Sequence, residues 1–371
     1  MRLATYNVEN LFERAVAMNL ATWADGKPAL EDLNRLHALI QLETYTEAVK
    51  AELLAIMARH RGLATTGKSR FIILRDIREK LLKRLPGKPA VIAVNGRADW
   101  IGWFELTREP VKEAATENTA RVIDLLKADV LCVVEAEDRT GLKRFNDEVL
   151  KNIPAPPYRH VMLIDGNDDR GIDVGIMTRE GFEIGRMRSH VDDRDAKGVV
   201  FSRDCAEYEI RTPAGNTLLV LVNHLKSKGF GTPAASAAKR LRQARLVRKI
   251  YDARIAEGFE MIAVAGDMNE TPNAAPMAPL VAEGSTLVDI MVHPQFVGDG
   301  LPGTYGNGTA SAKLDYILMS PKLAAKAVLG GVERRGVWGG VNGTKFPHLP
   351  TIKSAKDAAS DHAALWVDLD I

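Results

Sequence analysis

The sequence predicts an α/β fold in which large sheets pack in layers against helices. After a first strand at 3–8, short apolar runs rich in β-branched residues recur between polar loops beyond residue 127. A strong helix is predicted at 236–255 among these runs, and strands with interspersed helices are typical of layered α/β domains. The other predicted strands are 130–134, 161–164, 173–177, 199–201, 218–222, 261–265, 316–319 and 363–369.

Residues 13–110 differ from the rest of the 371-residue chain in the spacing of their apolar residues and in their basic composition. Apolar residues recur at helical spacing between residues 31 and 60, and 71–85 is also interpreted as a helix, stopped by Pro86-Gly87. Short strands are predicted at 91–94 and 100–106, and another helix follows at 116–127. We interpret 13–110 as a mostly helical, basic insertion within one catalytic domain that spans residues 1–371.

Basic residues are unevenly distributed, although the formal net charge is only +2. Residues 59–88 contain ten Lys or Arg against two acids, and residues 239–249 contain six with no acid between them. Such runs suit a polyanionic partner, and a solvated helix face explains them about equally well. If 71–85 is a helix, Arg75 and Arg78 are neighbours at i, i+3 and Lys83 lies on an adjoining flank, so we expect these three to contact nucleic acid.

Two bulk features narrow the class of protein further. No apolar run approaches the roughly 20 residues that span a bilayer, and the N-terminus lacks a signal-peptide pattern, so we expect a cytoplasmic protein with no membrane partner. The only two cysteines, Cys132 and Cys205, lie in strand-like segments and are expected to be buried free thiols. Their spacing excludes a cysteine-based zinc site.

Polar residues recur at the ends of the predicted strands, where catalytic groups are usually held. Glu135 ends a run that should be buried, and a carboxylate there needs a partner. Mg²⁺ is a suitable partner because it prefers oxygen ligands and needs only one or two carboxylates. A salt bridge to a neighbouring Arg is the alternative.

Three further strand ends carry candidate residues. Asp267 and Asn269 follow the run 261–265 and project to the same side of an extended backbone, where they can orient a water or close the strand in an Asx turn. Asp361 and His362 precede the last strand; an aspartate can raise the pKa of a neighbouring histidine, although a surface turn explains the pair as well. His224 ends another run and is by itself explained as a core histidine.

Taken together, these residues form a set with ligands for a hard metal and with candidate acids and bases. No serine-hydrolase elbow, Walker loop or dinucleotide fingerprint competes with it. The set resembles the endonuclease/exonuclease/phosphatase superfamily in the family's order, over residues 1–12 and from about 114 to the C-terminus. The resemblance implies a four-layer α/β sandwich of two packed mixed sheets flanked by helices, with the site at their top edge.

The resemblance also implies roles for single residues. These are Glu135, Glu9 and Asp361 for binding Mg²⁺ or Mn²⁺; Asn7, Arg170 and Asn269 for binding phosphate; and His224, Asp267, Asn269, Asp315 and His362 for catalysis. Val134 stands where the family often has Gln, which removes a hydrogen bond beside the metal ligand but not the ligand itself.

The function that the resemblance implies is hydrolysis of a phosphodiester, with a nuclease acting on DNA or RNA as the first expectation. One alternative is a phosphatase or phosphodiesterase of the same fold that acts on a lipid or small-molecule phosphate. A second alternative is a catalytically inactive module that binds nucleic acid. The intact polar set argues against the second alternative, because inactive members commonly lose the glutamate or a histidine.

Overall fold

The computed structural model describes residues 1–9, 16–18, 23–107, 113–154, 156–168, 171–228, 232–282 and 284–371. The chain divides into two compact units. Unit 1 consists of Met1–Phe12 and Val111–Ile371, and unit 2 is Glu13–Pro110. Among the described residues, no helix is both long and apolar enough to cross a membrane.

The strands and helices are numbered along the chain, and β2–β5 and α1–α3 belong to unit 2. The strands are β1 (Arg2–Asn7), β2 (Ile72–Arg78), β3 (Leu82–Lys83), β4 (Val91–Ile92), β5 (Ile101–Leu106), β6 (Val130–Ala136), β7 (His160–Ile164), β8 (Asp173–Thr178), β9 (Glu183–Arg188), β10 (Arg194–Asp195), β11 (Gly198–Val199), β12 (Cys205–Arg211), β13 (Thr217–His224), β14 (Ile262–Asp267), β15 (Val288–Asp289), β16 (Phe296–Val297), β17 (Asp315–Met319), β18 (Ala327–Glu333) and β19 (Ala364–Leu369). The α-helices are α1 (Trp23–Ile40), α2 (Glu47–Arg59), α3 (Leu63–Thr66), α4 (Glu113–Leu126), α5 (Arg139–Arg144), α6 (Pro233–Ala256), α7 (Ala278–Val281) and α8 (Pro321–Ala324).

Unit 1 is built on two large mixed sheets. One has seven strands in the order β16-β18-β19-β1-β6-β8-β7, and the other has six in the order β15-β17-β14-β13-β12-β9. β1 runs parallel to β6 in the first sheet, and β13 runs parallel to β14 in the second. The carboxyl ends of each parallel pair therefore lie at one edge of their sheet, which is where open α/β sheets place their sites.

The two sheets and their helices form the four layers that the resemblance implies. Side chains from both sheets, such as Cys132 of β6 and Val222 of β13, form the core between the sheets. The outer face of the seven-stranded sheet packs against α4, and that of the six-stranded sheet packs against α6. Because both faces of the central strands are buried, these strands have continuous apolar sequences rather than alternating ones. Cys132 and Cys205 are buried free thiols, as the sequence predicts.

Unit 2 has a hydrophobic core of its own, formed by α1, α2 and the strands β2–β5, with Trp100 fully buried in it. The predicted helix at 71–85 is wrong, because this segment contains β2 and β3. In β2 the buried side chains of Ile72 and Leu74 alternate with more exposed neighbours, which is the period of a strand, and β2 pairs antiparallel with β5. Arg75 and Arg78 therefore lie on a strand and are not helical neighbours.

The second basic run lies in α6, and half of its six basic residues form ion pairs within unit 1. Three of its basic residues contact carboxylates: Arg240 with Glu270 at 2.9 Å, Arg242 with Asp195 at 2.5 Å and Arg248 with Asp252 at 2.8 Å. Half of this run is therefore paired within the fold rather than lying on a purely solvated helix face, and a polyanionic partner for the run stays a prediction.

Candidate active site

The strand registers of unit 1 bring the predicted polar residues to one edge of the sandwich. Asn7 at the end of β1 lies opposite Val134, next to Glu135, and His224 at the end of β13 lies opposite Asp267. Asp267 in turn lies opposite Asp315 at the start of the antiparallel strand β17. Residues from five strands that are distant in sequence therefore meet at one place.

One carboxylate oxygen, Oδ2 of Asp267, lies at the centre of this arrangement. It accepts hydrogen bonds from Nδ2 of Asn7 and Nδ2 of Asn269, both at 3.2 Å. Nε2 of His224 lies 3.7 Å from the same oxygen, and Nε2 of His362 lies 3.9 Å from it. Asp267 is fully buried, so protein groups rather than water surround its charge.

The backbone is strained at several of these positions. Among the described residues, five non-glycine residues have a positive φ, and three of them are Glu9 at 48°, Glu135 at 69° and Asn269 at 52°. Such strain is characteristic of functional sites, where the surrounding structure maintains it. The register between β6 and β8 also shifts at Glu135, so a bulge redirects its side chain away from the regular alternation.

The prediction that Asp267 and Asn269 project together from an extended backbone is wrong, because the backbone of Asn269 has a left-handed conformation with φ of 52°. The two residues meet through a turn instead, in which the backbone N–H of Asn269 donates to Oδ1 of Asp267 at 2.7 Å. The Asx turn and the candidate site are therefore the same feature. Gly266 precedes this turn with φ of 126°, and a Cβ atom there would lie 2.0 Å from the carbonyl oxygen of Asn223.

His362 and Asp315 form a buried hydrogen-bonded pair. Nδ1 of His362 lies 2.8 Å from Oδ2 of Asp315, and that oxygen also accepts from Oγ1 of Thr304 at 2.6 Å. Burial by itself lowers the pKa of His362, but the charge of Asp315 and its hydrogen bond outweigh this and raise the pKa well above its usual range. The imidazole is therefore held as a cation whose Nε2 faces Asp267.

Several carboxylates at the site disfavour each other's charge. Burial, followed by repulsion from Asp315, raises the pKa of Asp267 to about 7. Part of the Glu9 side chain is exposed, yet desolvation by the surrounding protein and repulsion from Asp361 raise its pKa to about 7. The pKa of Asp361 is also raised, by burial and then by the charge of Glu135. This excess of converging negative charge is what a bound cation would relieve.

The donor set fits a divalent cation. Ligand atoms of Glu135, His224 and Asp267 lie within 4.8 Å of one another, and so do those of Asp267, Asp315 and His362. These two groups, found among the described residues, include neither Glu9 nor Asp361. The charge of Glu135 contributes to the raised pKa of each of these two residues. Carboxylate oxygens are the ligands that Mg²⁺ and Mn²⁺ prefer.

Two residues of the site were missed by the sequence analysis. Thr304 donates to Asp315, and the ring of Tyr305 packs edge-to-face against His362 with centroids 4.9 Å apart. Both lie in the loop before β17, which joins the site through a bridge between Tyr305 and His362. The sequence carries little signal for them beyond the glycines on either side of the pair, Gly303 and Gly306.

The structure thus brings together most residues of the predicted site. Arg170, the remaining phosphate-binding candidate, lies outside the described residues. The nucleic-acid candidates Arg75, Arg78 and Lys83 belong to unit 2 and are all exposed.

Comparison with known proteins agrees with this fold. A family model described as the endonuclease/exonuclease/phosphatase family matches residues 111–293. Among solved structures, an endonuclease/exonuclease/phosphatase family protein from Bacteroides thetaiotaomicron is 18% identical with a TM-score of 0.50, over 68% of this chain and 85% of that chain. A mannosyl-6-phosphatase from the same organism is also 18% identical, with a TM-score of 0.51 over 69% of this chain and 91% of that chain. At such identity these likenesses show the fold alone, and no curated protein sequence matches the chain.

Proposed function

We propose that this chain, which belongs to the endonuclease/exonuclease/phosphatase superfamily, is a divalent-metal-dependent phosphodiester hydrolase that acts on nucleic acid. The observation that carries the proposal is the placement of two imidazole nitrogens within 4 Å of one buried carboxylate oxygen of Asp267. This places one candidate base near two candidate acids, which are the groups that general acid–base catalysis of hydrolysis uses.

Each side chain of the site has a separate role in the proposed reaction. Asp267 accepts a proton from the attacking water, because its raised pKa makes it a useful base near neutral pH. His362, kept protonated by Asp315, stabilises negative charge on a phosphoryl oxygen. His224 donates a proton to the leaving oxygen. Asn7 and Asn269 orient the carboxylate of Asp267 through their amide hydrogen bonds.

The metal would be held by Glu135 together with Glu9 and Asp361, whose charges converge. When bound, Mg²⁺ or Mn²⁺ supplies positive charge that offsets the charge of the phosphoryl group. Glu135 is itself fixed by the amide of Asn7, which donates to its Oε1 at 3.2 Å.

Unit 2 supports nucleic acid as the substrate. All ten basic residues between 59 and 88 are exposed. Among the described residues, only Arg59 and Arg75 of these ten form ion pairs, with Asp32 and Glu105. The other eight form no ion pair with a described residue, although Arg84 donates to the carbonyl oxygen of Ala64 and Arg70 lies over the ring of Phe71. Their exposed positive charge suits a polyanion. In the α6 run, by comparison, three of the six basic residues are paired with carboxylates.

The substrate class is tested by comparing bis-nitrophenyl phosphate, nitrophenyl phosphate, plasmid DNA, RNA and a phospholipid, each with Mg²⁺, Mn²⁺ or EDTA. We expect metal-dependent cleavage of the diester and of at least one nucleic acid. Hydrolysis of the monoester alone would favour a phosphatase that acts on a small phosphate. Cleavage of phospholipid but of neither nucleic acid would favour a lipid substrate, and binding of nucleic acid without any hydrolysis would favour an inactive module.

The free cations of unit 2 give a prediction on salt dependence. Arg75 is paired with Glu105, so the contacts expected with phosphates come from Arg78 and Lys83. Replacing both by Ala should raise the Michaelis constant for long nucleic acids and flatten the logarithmic salt slope of binding by about two units, one for each lost contact.

The matched control is the double variant Lys27→Ala and Arg35→Ala in α1, which also removes two positive charges. In the unaltered protein these two side chains are already paired with Glu31 and Glu52. This control should keep the original slope. An unchanged slope in the Arg78 and Lys83 variant, with its fold intact, would mean that the run is only a solvated surface.

A further inference from the structure

The antiparallel pair β2–β5 in unit 2 has one buried face and one exposed face. Its buried side chains, including Leu74 and Phe104, belong to the core of unit 2. On the exposed face, Arg75 lies opposite Trp103 and Arg78 lies opposite Ile101. We call the exposed set of Arg75, Ile77, Arg78, Ile101 and Trp103 the ribbon face.

The ribbon face exposes an unusual amount of large apolar surface. Trp103 is 42% exposed, Ile101 is 43% exposed and Ile77 is 66% exposed. Exposed large apolar side chains that lie together often mark a binding surface. On the ribbon face the apolar side chains lie beside the arginines Arg75 and Arg78. The surface therefore combines an aromatic ring that can stack with positive charge.

A carboxylate holds the aromatic ring and one cation in place. Glu105 accepts from Nε of Arg75 at 2.8 Å through Oε1, and from Nε1 of Trp103 at 3.0 Å through Oε2. The indole and the guanidinium are therefore fixed side by side before any ligand arrives. Such preorganisation reduces the entropy that is lost on binding.

We propose that the ribbon face binds single-stranded nucleic acid, with bases stacked on Trp103 and phosphates contacted by Arg78 and the neighbouring cations. This inference rests on the proposed function, because the bound strand is the substrate of that reaction. Aromatic side chains within a basic surface are the usual means of binding single strands, since every base has a face that can stack.

The same residues disfavour a duplex. Arg78 can contact the phosphates of a single strand or a duplex, so the discrimination between them comes from the apolar side chains Ile77, Ile101 and Trp103. Paired bases within a helix keep their faces covered, so they cannot stack on an indole. An anionic lipid surface is disfavoured because Glu105, which is bound to Trp103, would have to be carried into the headgroup region beside it.

Binding is tested with the full chain in EDTA, so that no hydrolysis interferes. A labelled oligothymidine is compared with a duplex of equal length and with vesicles that contain phosphatidylserine. We expect the single strand to bind more tightly than the duplex, and Trp103→Ala to weaken its binding by about tenfold. Trp103→Phe should retain most of the affinity, because a smaller aromatic ring still stacks. Leu42→Ala removes an apolar side chain that is 41% exposed elsewhere in unit 2 and should change nothing.

Equal binding of strand and duplex, or no effect of Trp103→Ala in a variant with unchanged thermal unfolding, would overturn the inference. Vesicle binding that depends on Trp103, without binding of the single strand, would overturn it as well. Hydrolysis of bis-nitrophenyl phosphate by the unaltered protein is measured separately. Its absence alongside intact strand binding would contradict the proposed function but not the ribbon face.

Discussion

Glu135→Ala is expected to remove at least 99% of metal-dependent hydrolysis, a loss of about a hundredfold or more, while the fold remains intact. A bound metal contributes several kcal/mol to the stabilisation of the transition state, and each 1.4 kcal/mol corresponds to about tenfold in rate. Glu135 ends the central strand β6, where a bulge and a φ of 69° aim its side chain at the site. Its Oε1 lies 3.2 Å from Nδ2 of Asn7 and 3.8 Å from Nε2 of His224.

The variant also tests metal binding without any measurement of activity. A ligand that binds only the folded state raises the melting temperature, so Mg²⁺ or Mn²⁺ should stabilise the unaltered protein and should stabilise Glu135→Ala much less. Glu183→Ala, which changes a glutamate on the exposed edge strand β9, serves as the control and should keep both activity and the metal response. Full activity in excess EDTA, or in Glu135→Ala, would contradict the metal mechanism.

The central strands of unit 1 could be predicted from the sequence because they are buried on both faces. β6, β13 and β14 consist almost wholly of apolar residues, and each ends at a polar residue of the site. β9 was not predicted, since five of its six residues are exposed and its sequence contains no continuous apolar run. β18 was not predicted because two glycines, Gly330 and Gly331, interrupt its apolar sequence. Position within the sheet, which local sequence does not reveal, decided which strands could be recognised.

The error at residues 71–85 has a different cause. Its apolar residues fit helical spacing as well as strand spacing, and short apolar runs leave that choice open. The β-branched residues Ile72, Ile73 and Ile77 favour a strand, and pairing with β5 decides the outcome. The correction also changed the interpretation of Arg75, which proved to face Trp103 and Glu105 across the strand pair.

The candidate site was predictable where a polar residue ends a buried strand, as with Asp267 and His224. The site could not be predicted where tertiary contacts or an unusual backbone conformation bring a residue to it. Thr304 and Tyr305 come from a loop with no apolar pattern, and the left-handed conformation of Asn269 is enforced by its turn. Metal and phosphate roles of single residues stay predictions that the variants described here test.

His224→Ala and His362→Ala are each expected to lower turnover by at least about a hundredfold, the scale of one acid–base contribution. His224 is almost completely buried, with Nε2 at 3.7 Å from Asp267 Oδ2, and His362 is held by Asp315 at 2.8 Å. A histidine on the exposed side of unit 1 provides the control: His160 contacts Glu183 on the edge strand β9, and His160→Ala should keep normal turnover.

The leaving group separates the two roles. If His224 protonates the leaving oxygen, its loss should matter less for a nitrophenolate, which leaves without a proton, than for the alkoxide of a nucleic acid. His362 acts on the phosphoryl group, so its loss should lower both rates by similar factors. Asp315→Asn should lower turnover in the same way as His362→Ala and add little to it, because the carboxylate acts through the histidine. Near-normal turnover in either histidine variant would leave that histidine with a structural role only, and equal losses with both leaving groups in His224→Ala would remove it as the proton donor.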